Sequence, residues 1–214
     1  MKDNRSYIDR VNALRYMGFK NGDPLSIGSV IDDCEKKLCK VMTPRSVYTV
    51  KSVGELGDVL IGKDVIDHLE GCSRVVVFAA TLGTGVDALI RNYQVSDVAR
   101  ALVADAEASA AIEAYCDDVQ RTVSDKIGAK LTSRFSPGYG DLPLEIQSRL
   151  LDIADAGRKI GLFANESYIL TPSKSVTAFI GIGKSCEDCR DVGCENCDLS
   201  ENCAYRKEGS QSGS

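Results

Sequence analysis

The chain of 214 residues suits one domain of ordinary size with an appendage better than two domains. Leu, Ile, Val and Phe make up about a quarter of it, above the level at which chains stay disordered, and the formal net charge of −5 argues against a general nucleic-acid binder, which needs excess Lys and Arg. The longest apolar run, residues 75–82, is far too short to span a bilayer, and the charged N-terminus has no apolar signal core, so the expectation is a cytoplasmic protein.

Residues 7–17 read as a helix with Ile8, Val11, Leu14 and Tyr16 as its apolar members. A loop with Gly22, Asp23 and Pro24 follows. Val30, Ile31, Cys34, Leu38 and Val41 recur at three- and four-residue intervals, which predicts a second helix over residues 29–42, stopped by Pro44. Residues 46–50 predict a short strand, residues 58–61 another, and residues 63–69 a short helix. The run RVVVFAATL, residues 74–82, is apolar at both parities and therefore predicts a central strand. Gly83 and Gly85 break it before a helix over residues 86–93. Residues 96–127 carry the longest helical pattern, with Val98, Leu102, Ile112, Val119 and Val123 as its predicted buried side. Residues 134–143 (RFSPGYGDLP) cannot be regular, because Pro and Gly fill four of ten places. A helix with Ile146, Leu150, Ile153 and Ala154 on one face should follow. Strands are expected at residues 166–170 and 174–183, the second alternating Val176, Ala178, Ile180 and Ile182 to one face. Helices and strands mix without strict βαβ alternation, which favours the α+β class. The expected organisation is a folded unit over residues 1–184, a Cys-rich segment over 185–206 and a polar, disordered tail over 207–214.

Nine cysteines are present. Cys34, Cys39, Cys72 and Cys116 are scattered and read as small core residues. Cys186, Cys189, Cys194, Cys197 and Cys203 follow the spacing C-x2-C-x4-C-x2-C-x5-C. Two C-x2-C pairs so close bring four thiolates within reach of one centre, which suits an iron–sulfur cluster or zinc alike. Spacing does not choose between them. His68 lies in a charged stretch and reads as a surface residue, and Asp117 with Asp118 as a solvated helix face. The T-L-G-T-G stretch, residues 81–85, lacks the Lys-Ser/Thr of a phosphate loop and reads as a plain strand-to-helix turn.

The RFSPGYGDLP segment is the most informative. Pro137 and Gly138 set a tight turn between Arg134 and Tyr139. An Arg fork there either receives a carboxylate or phosphate, bonding it twice, or ties down its own loop. Arg134, Pro137, Gly138, Tyr139 and Pro143 match the R-x-x-P-G-Y-x-x-x-P pattern of the activation (reactivation) domain of vitamin B12-dependent methionine synthase. Glu166, Ser167, Tyr168, Pro172, Ser175, Val176 and Thr177 resemble a second stretch of that family. The resemblance spans about residues 5–184 and marks the chain as similar to a stand-alone member carrying a C-terminal Cys cluster.

That resemblance implies a twisted antiparallel sheet with flanking helices, and S-adenosylmethionine as ligand. It implies that Arg134 holds the methionine carboxylate, that the backbone at Ser136, Pro137 and Gly138 meets the adenosyl part, and that Tyr139 lies near the methyl-transfer site. Ser175 joins this set, as does an acidic residue of the long helix, either Glu113 or Glu107. No catalytic side chain is required, since cobalt(I) is itself the nucleophile. No D-x-H-x-x-G motif is present, so cobalamin is expected on a partner corrinoid protein, methionine synthase or a related methyltransferase, with a flavoprotein or ferredoxin as electron donor. The implied function is support of reductive methylation of cob(II)alamin. Two other readings stay open: a non-catalytic corrinoid-protein binding module with a structural zinc tail, and an iron–sulfur electron-transfer protein.

Overall fold

The computed structural model describes residues 3–19 and 27–183. In chain order its elements are α1 (Arg10–Tyr16), α2 (Gly28–Val41), β1 (Arg45–Ser52), α3 (Lys63–His68), β2 (Arg74–Thr81), α4 (Thr84–Ser96), α5 (Val98–Ile127), α6 (Ile146–Ala154), α7 (Ala156–Ile160), β3 (Phe163–Ala164), β4 (Leu170–Thr171) and β5 (Ser175–Ile182). β1, β2 and β5 form an antiparallel sheet in that order, and β3 pairs with β4. The class is α+β, as expected, with helices on both faces of a small antiparallel sheet.

β2 is the central strand, and its two parities feed two cores. Val76, Phe78 and Ala80 pack with residues of α1, α2, α4 and α5. Val75, Val77 and Ala79 pack with residues of α3, α6 and α7. Because side chains alternate along a strand, a strand covered on both sides must be apolar throughout. β5 repeats the division: Ala178, Ile180 and Ile182 face the first core and Phe179 the second.

α5 starts where the Asp97 carboxylate accepts the Arg100 backbone N–H at 3.1 Å. Buried Ala101, Ala104, Ala108 and Ala111 recur at three- and four-residue intervals, so α2 and α4 can approach this face closely. Val98 and Leu102, expected on the buried side, are instead exposed. They share the outer stripe of α5 with Asp105 and Ser109, which bind Lys174 at 2.8 and 2.9 Å. The covered face carries these alanines together with Ile112 and Val123, which are buried as expected.

Two predicted strands are turns. Val59 and Leu60 both donate their backbone N–H to the Leu56 carbonyl at 2.9 Å, while their side chains fill the second core. Of residues 166–170, Leu170 alone pairs. The Asn165 carboxamide oxygen accepts the Ser167 and Ile169 N–H groups at 3.0 and 2.9 Å and folds that stretch back. Cys34 and Cys116 are buried, and Cys39 and Cys72 are half-buried. No described helix is long and apolar enough to cross a membrane. The loop expected at Gly22, Asp23 and Pro24 and the cysteines from Cys186 onward lie outside the described residues.

Candidate functional site

After α5 the chain returns along the outer edge of β5. Leu131 bridges Ile182 and Phe135 bridges Phe179. Phe135 and Phe179 exchange both backbone hydrogen bonds, at 2.9 and 2.8 Å. This return lays Arg134 against the face of α5 that carries Glu113, Asp117 and Gln120, residues four and three apart and therefore neighbours on the helix. Arg134 Nη2 donates to Glu113 Oε2 at 2.8 Å. Its Nη1 donates to Gln120 Oε1 at 3.0 Å and lies 2.8 Å from Asp117 Oδ1. Asp117, read from sequence as part of a solvated helix face, is indeed about half exposed but is also an ion-pair partner of Arg134.

The Arg134 side chain is 17% exposed, its two carboxylate partners about half exposed. Burial works against its charge, but the Cys116 sulfur and the Glu113 and Asp117 carboxylates hold its pKa above the ordinary value. A guanidinium has five N–H donors, so these contacts leave Arg134 others for a further acceptor.

The RFSPGYGDLP loop closes on itself. Gly138 donates its N–H to Leu142 O at 2.9 Å, Tyr139 to Ser136 O at 3.0 Å and Leu142 to Tyr139 O at 3.0 Å. Gly138 has φ +88, a conformation that side chains resist. Tyr139 stands half exposed, with its ring 6.2 Å edge-on from Phe135. Arg134, Ser136, Pro137, Tyr139, Glu113 and Ser175 all line one open cleft of about 1000 Å³. Ser175 reaches it from β5, although its hydroxyl donates to Pro172 O at 2.7 Å. Gly138 is in the loop behind the cleft wall and does not line it.

Glu107 is elsewhere. It is 2% exposed in the first core, with neither carboxylate oxygen hydrogen-bonded. Of the two acidic residues weighed from sequence, Glu113 is the one beside Arg134. The cleft adds residues that sequence reading did not place in the site: Gln120, Asp117, Gln147 and Thr177. Gln147 and Thr177 are buried at its floor and hydrogen-bonded to each other. Thr177 was visible as part of the family stretch, but nothing local marked Gln147 or Gln120. Among the described residues no group of three or more His, Cys, Asp or Glu side chains is poised to hold a metal.

His68 also departs from its expected surface position. Its Nε2 lies 2.9 Å from Ser133 O and its ring 5.1 Å from that of Phe135. Desolvation lowers its pKa, and the Ser133 hydrogen bond opposes that shift.

Neither a protein-family model nor a curated protein sequence matches this chain. Among solved structures it is similar to the crystal structure of the MetH reactivation domain bound to AdoHcy, with a TM-score of 0.63 and 17% identity over 85% of this chain and 76% of that one. The fold is that of the MetH reactivation domain. On it, the Arg134 return lies between α5 and the outer edge of β5, and the cleft is lined by residues of α5, α6 and β5.

Proposed function

We propose that the cleft binds S-adenosylmethionine and presents its sulfonium methyl to cobalamin carried by a partner corrinoid protein. The observation that carries this reading is the charge set around Arg134. One guanidinium and two carboxylates, Glu113 and Asp117, make a set of net charge −1 within a cleft that Arg121 and Lys130 also line. S-adenosylmethionine carries a carboxylate, an ammonium and a sulfonium, a net charge of +1. Arg134 would take the ligand carboxylate through its remaining donors, and Glu113 and Asp117 would face the two cationic groups. The solved structure with this fold holds AdoHcy, the demethylated form of the same ligand.

Bound there, S-adenosylmethionine supplies the methyl group that, with one electron from a separate reductant, converts cob(II)alamin to methylcobalamin and leaves S-adenosylhomocysteine. The chain's own residues bind and orient; no side chain needs to move a proton. Glu113 and Asp117 keep the cationic ligand at Arg134, Ser136 and Pro137 shape the wall, and half-exposed Tyr139 stands on the side open to a partner.

The test is calorimetric titration with S-adenosylmethionine. Saturable binding is expected, and Arg134→Ala should weaken it by about thirtyfold, the loss of one charge-assisted contact of ~2 kcal/mol. A wild type that does not bind S-adenosylmethionine would remove this reading. On spacing alone, we propose that Cys186, Cys189, Cys194, Cys197 and Cys203 hold an iron–sulfur cluster or zinc. Iron and zinc analysis of anaerobically purified protein separates the two. With iron, the segment would be the natural contact for a ferredoxin or flavoprotein donor.

A further inference from the structure

We propose that α3 is the plate on which the Arg134 loop is set, and that His68 is its positioning residue. For its ligand this rests on the S-adenosylmethionine reading; for the ordering of the loop it rests on geometry alone. Both ends of α3 grip the loop. At its C-terminal end, His68 Nε2 lies 2.9 Å from Ser133 O and 3.1 Å from Thr132 Oγ1. A carbonyl only accepts, so Nε2 carries the proton and donates it to Ser133. Thr132 Oγ1 in turn accepts the Gly181 N–H of β5 at 2.8 Å. The same imidazole packs on Phe135. One side chain therefore holds the residues on either side of Arg134. At the N-terminal end, the Asp141 carboxylate accepts the Lys63 and Asp64 backbone N–H groups at 2.6 and 3.0 Å, and the Asp64 carboxylate accepts the Asp141 N–H at 3.1 Å.

Val65 and Leu69 root the plate, 0% and 4% exposed in the second core. Between the two grips the loop is held by its own turn bonds at Gly138, Tyr139 and Leu142. His68 does not line the cleft, so it reaches a ligand only through the loop. The placement matters because a ligand methyl presented to a second reactant tolerates little displacement; an error of ~1 Å costs on the order of a hundredfold in rate.

The experiment compares wild type, His68→Ala, His68→Gln and Asp141→Asn by S-adenosylmethionine titration and by amide hydrogen exchange. His68→Ala should weaken binding about tenfold and speed exchange at Gly138, Tyr139 and Leu142, with β2 amides unchanged. His68→Gln, whose amide can donate to Ser133 O, should restore both. Asp141→Asn should loosen the same three amides from the other end. Unchanged loop exchange and affinity in His68→Ala would overturn the proposal, and so would an equal loss of protection in β2, the sign of a merely structural role. If the wild type binds no S-adenosylmethionine, the ligand reading fails while the exchange pattern still decides the role of α3.

Discussion

Glu107 carries a carboxyl group in the first core with no hydrogen-bond partner on either oxygen. Burial pushes its pKa up to about 8; Glu35 and Asp32 add to the shift and Arg10 opposes it. In the unfolded chain the same group ionises near 4.5. Between these values the folded protein keeps a proton that the unfolded chain has released. Glu107 therefore favours the fold at acid pH, and that contribution falls as pH rises from 4.5 and is lost through 8, by up to about 1.4 kcal/mol per pH unit. Glu107→Gln keeps the shape without the titration. Its melting temperature should fall less than that of the wild type between pH 6 and 8.5, and parallel curves for the two proteins would contradict the assignment. The same residue shows a limit of sequence reading. Glu107 and Glu113 lie six apart on one helix, and local pattern does not say which of them the chain returns to. That is decided by the bridges of Leu131 and Phe135 to β5, contacts some fifty residues apart in sequence. Arg134 and its Pro-Gly turn were legible because their chemistry is local. Asp117, Gln120 and His68 were not, because their partners arrive from other elements.

At the scale of elements, most of the helices and the central strand were legible from periodicity. Two short apolar stretches were not. Val59 and Leu60 are apolar because the second core needs them, not because a neighbouring strand pairs with them. Val98 and Leu102 misled in the opposite direction, since close helix packing selected the alanine face. The T-L-G-T-G turn was read correctly as a strand-to-helix junction, and the structure gives its reason. A Cβ on Gly85 would sit 2.6 Å from Val41 O and 3.3 Å from Val41 Cβ, so α4 can lie against the end of α2 only with glycine there. Gly85→Ala should cost ~1–3 kcal/mol by overpacking, a drop of several degrees in melting temperature. Inorganic phosphate should give no protective shift to either protein. A Gly85→Ala protein as stable as the wild type would mean that α4 can move away at little cost.

The molecule as a whole is two cores sharing one sheet, and β2 belongs to both. The cleft lies where they meet: α5 brings Glu113, Asp117 and Gln120 from the first layer, α6 brings Gln147 from the second, and β5 with the Arg134 return stands between them. A ligand in this cleft touches both layers at once. Its binding energy should therefore stabilise the two layers together and not one of them. At a hundred times its dissociation constant a ligand adds ~2.7 kcal/mol to the stability of any state that binds it. With S-adenosylmethionine at that excess, urea unfolding should remain one transition and its midpoint should move up. Amide exchange along the buried turns of α5 reports on the first core, and amide exchange along α6 reports on the second. Both probes should gain the same free energy, and at the same ligand concentration both gains should fall to ~0.9 kcal/mol in Arg134→Ala, whose affinity is about thirtyfold lower. A gain confined to α5 would place the ligand on one wall alone, and the cleft would then be a groove of the first layer, with β5 and α6 standing by.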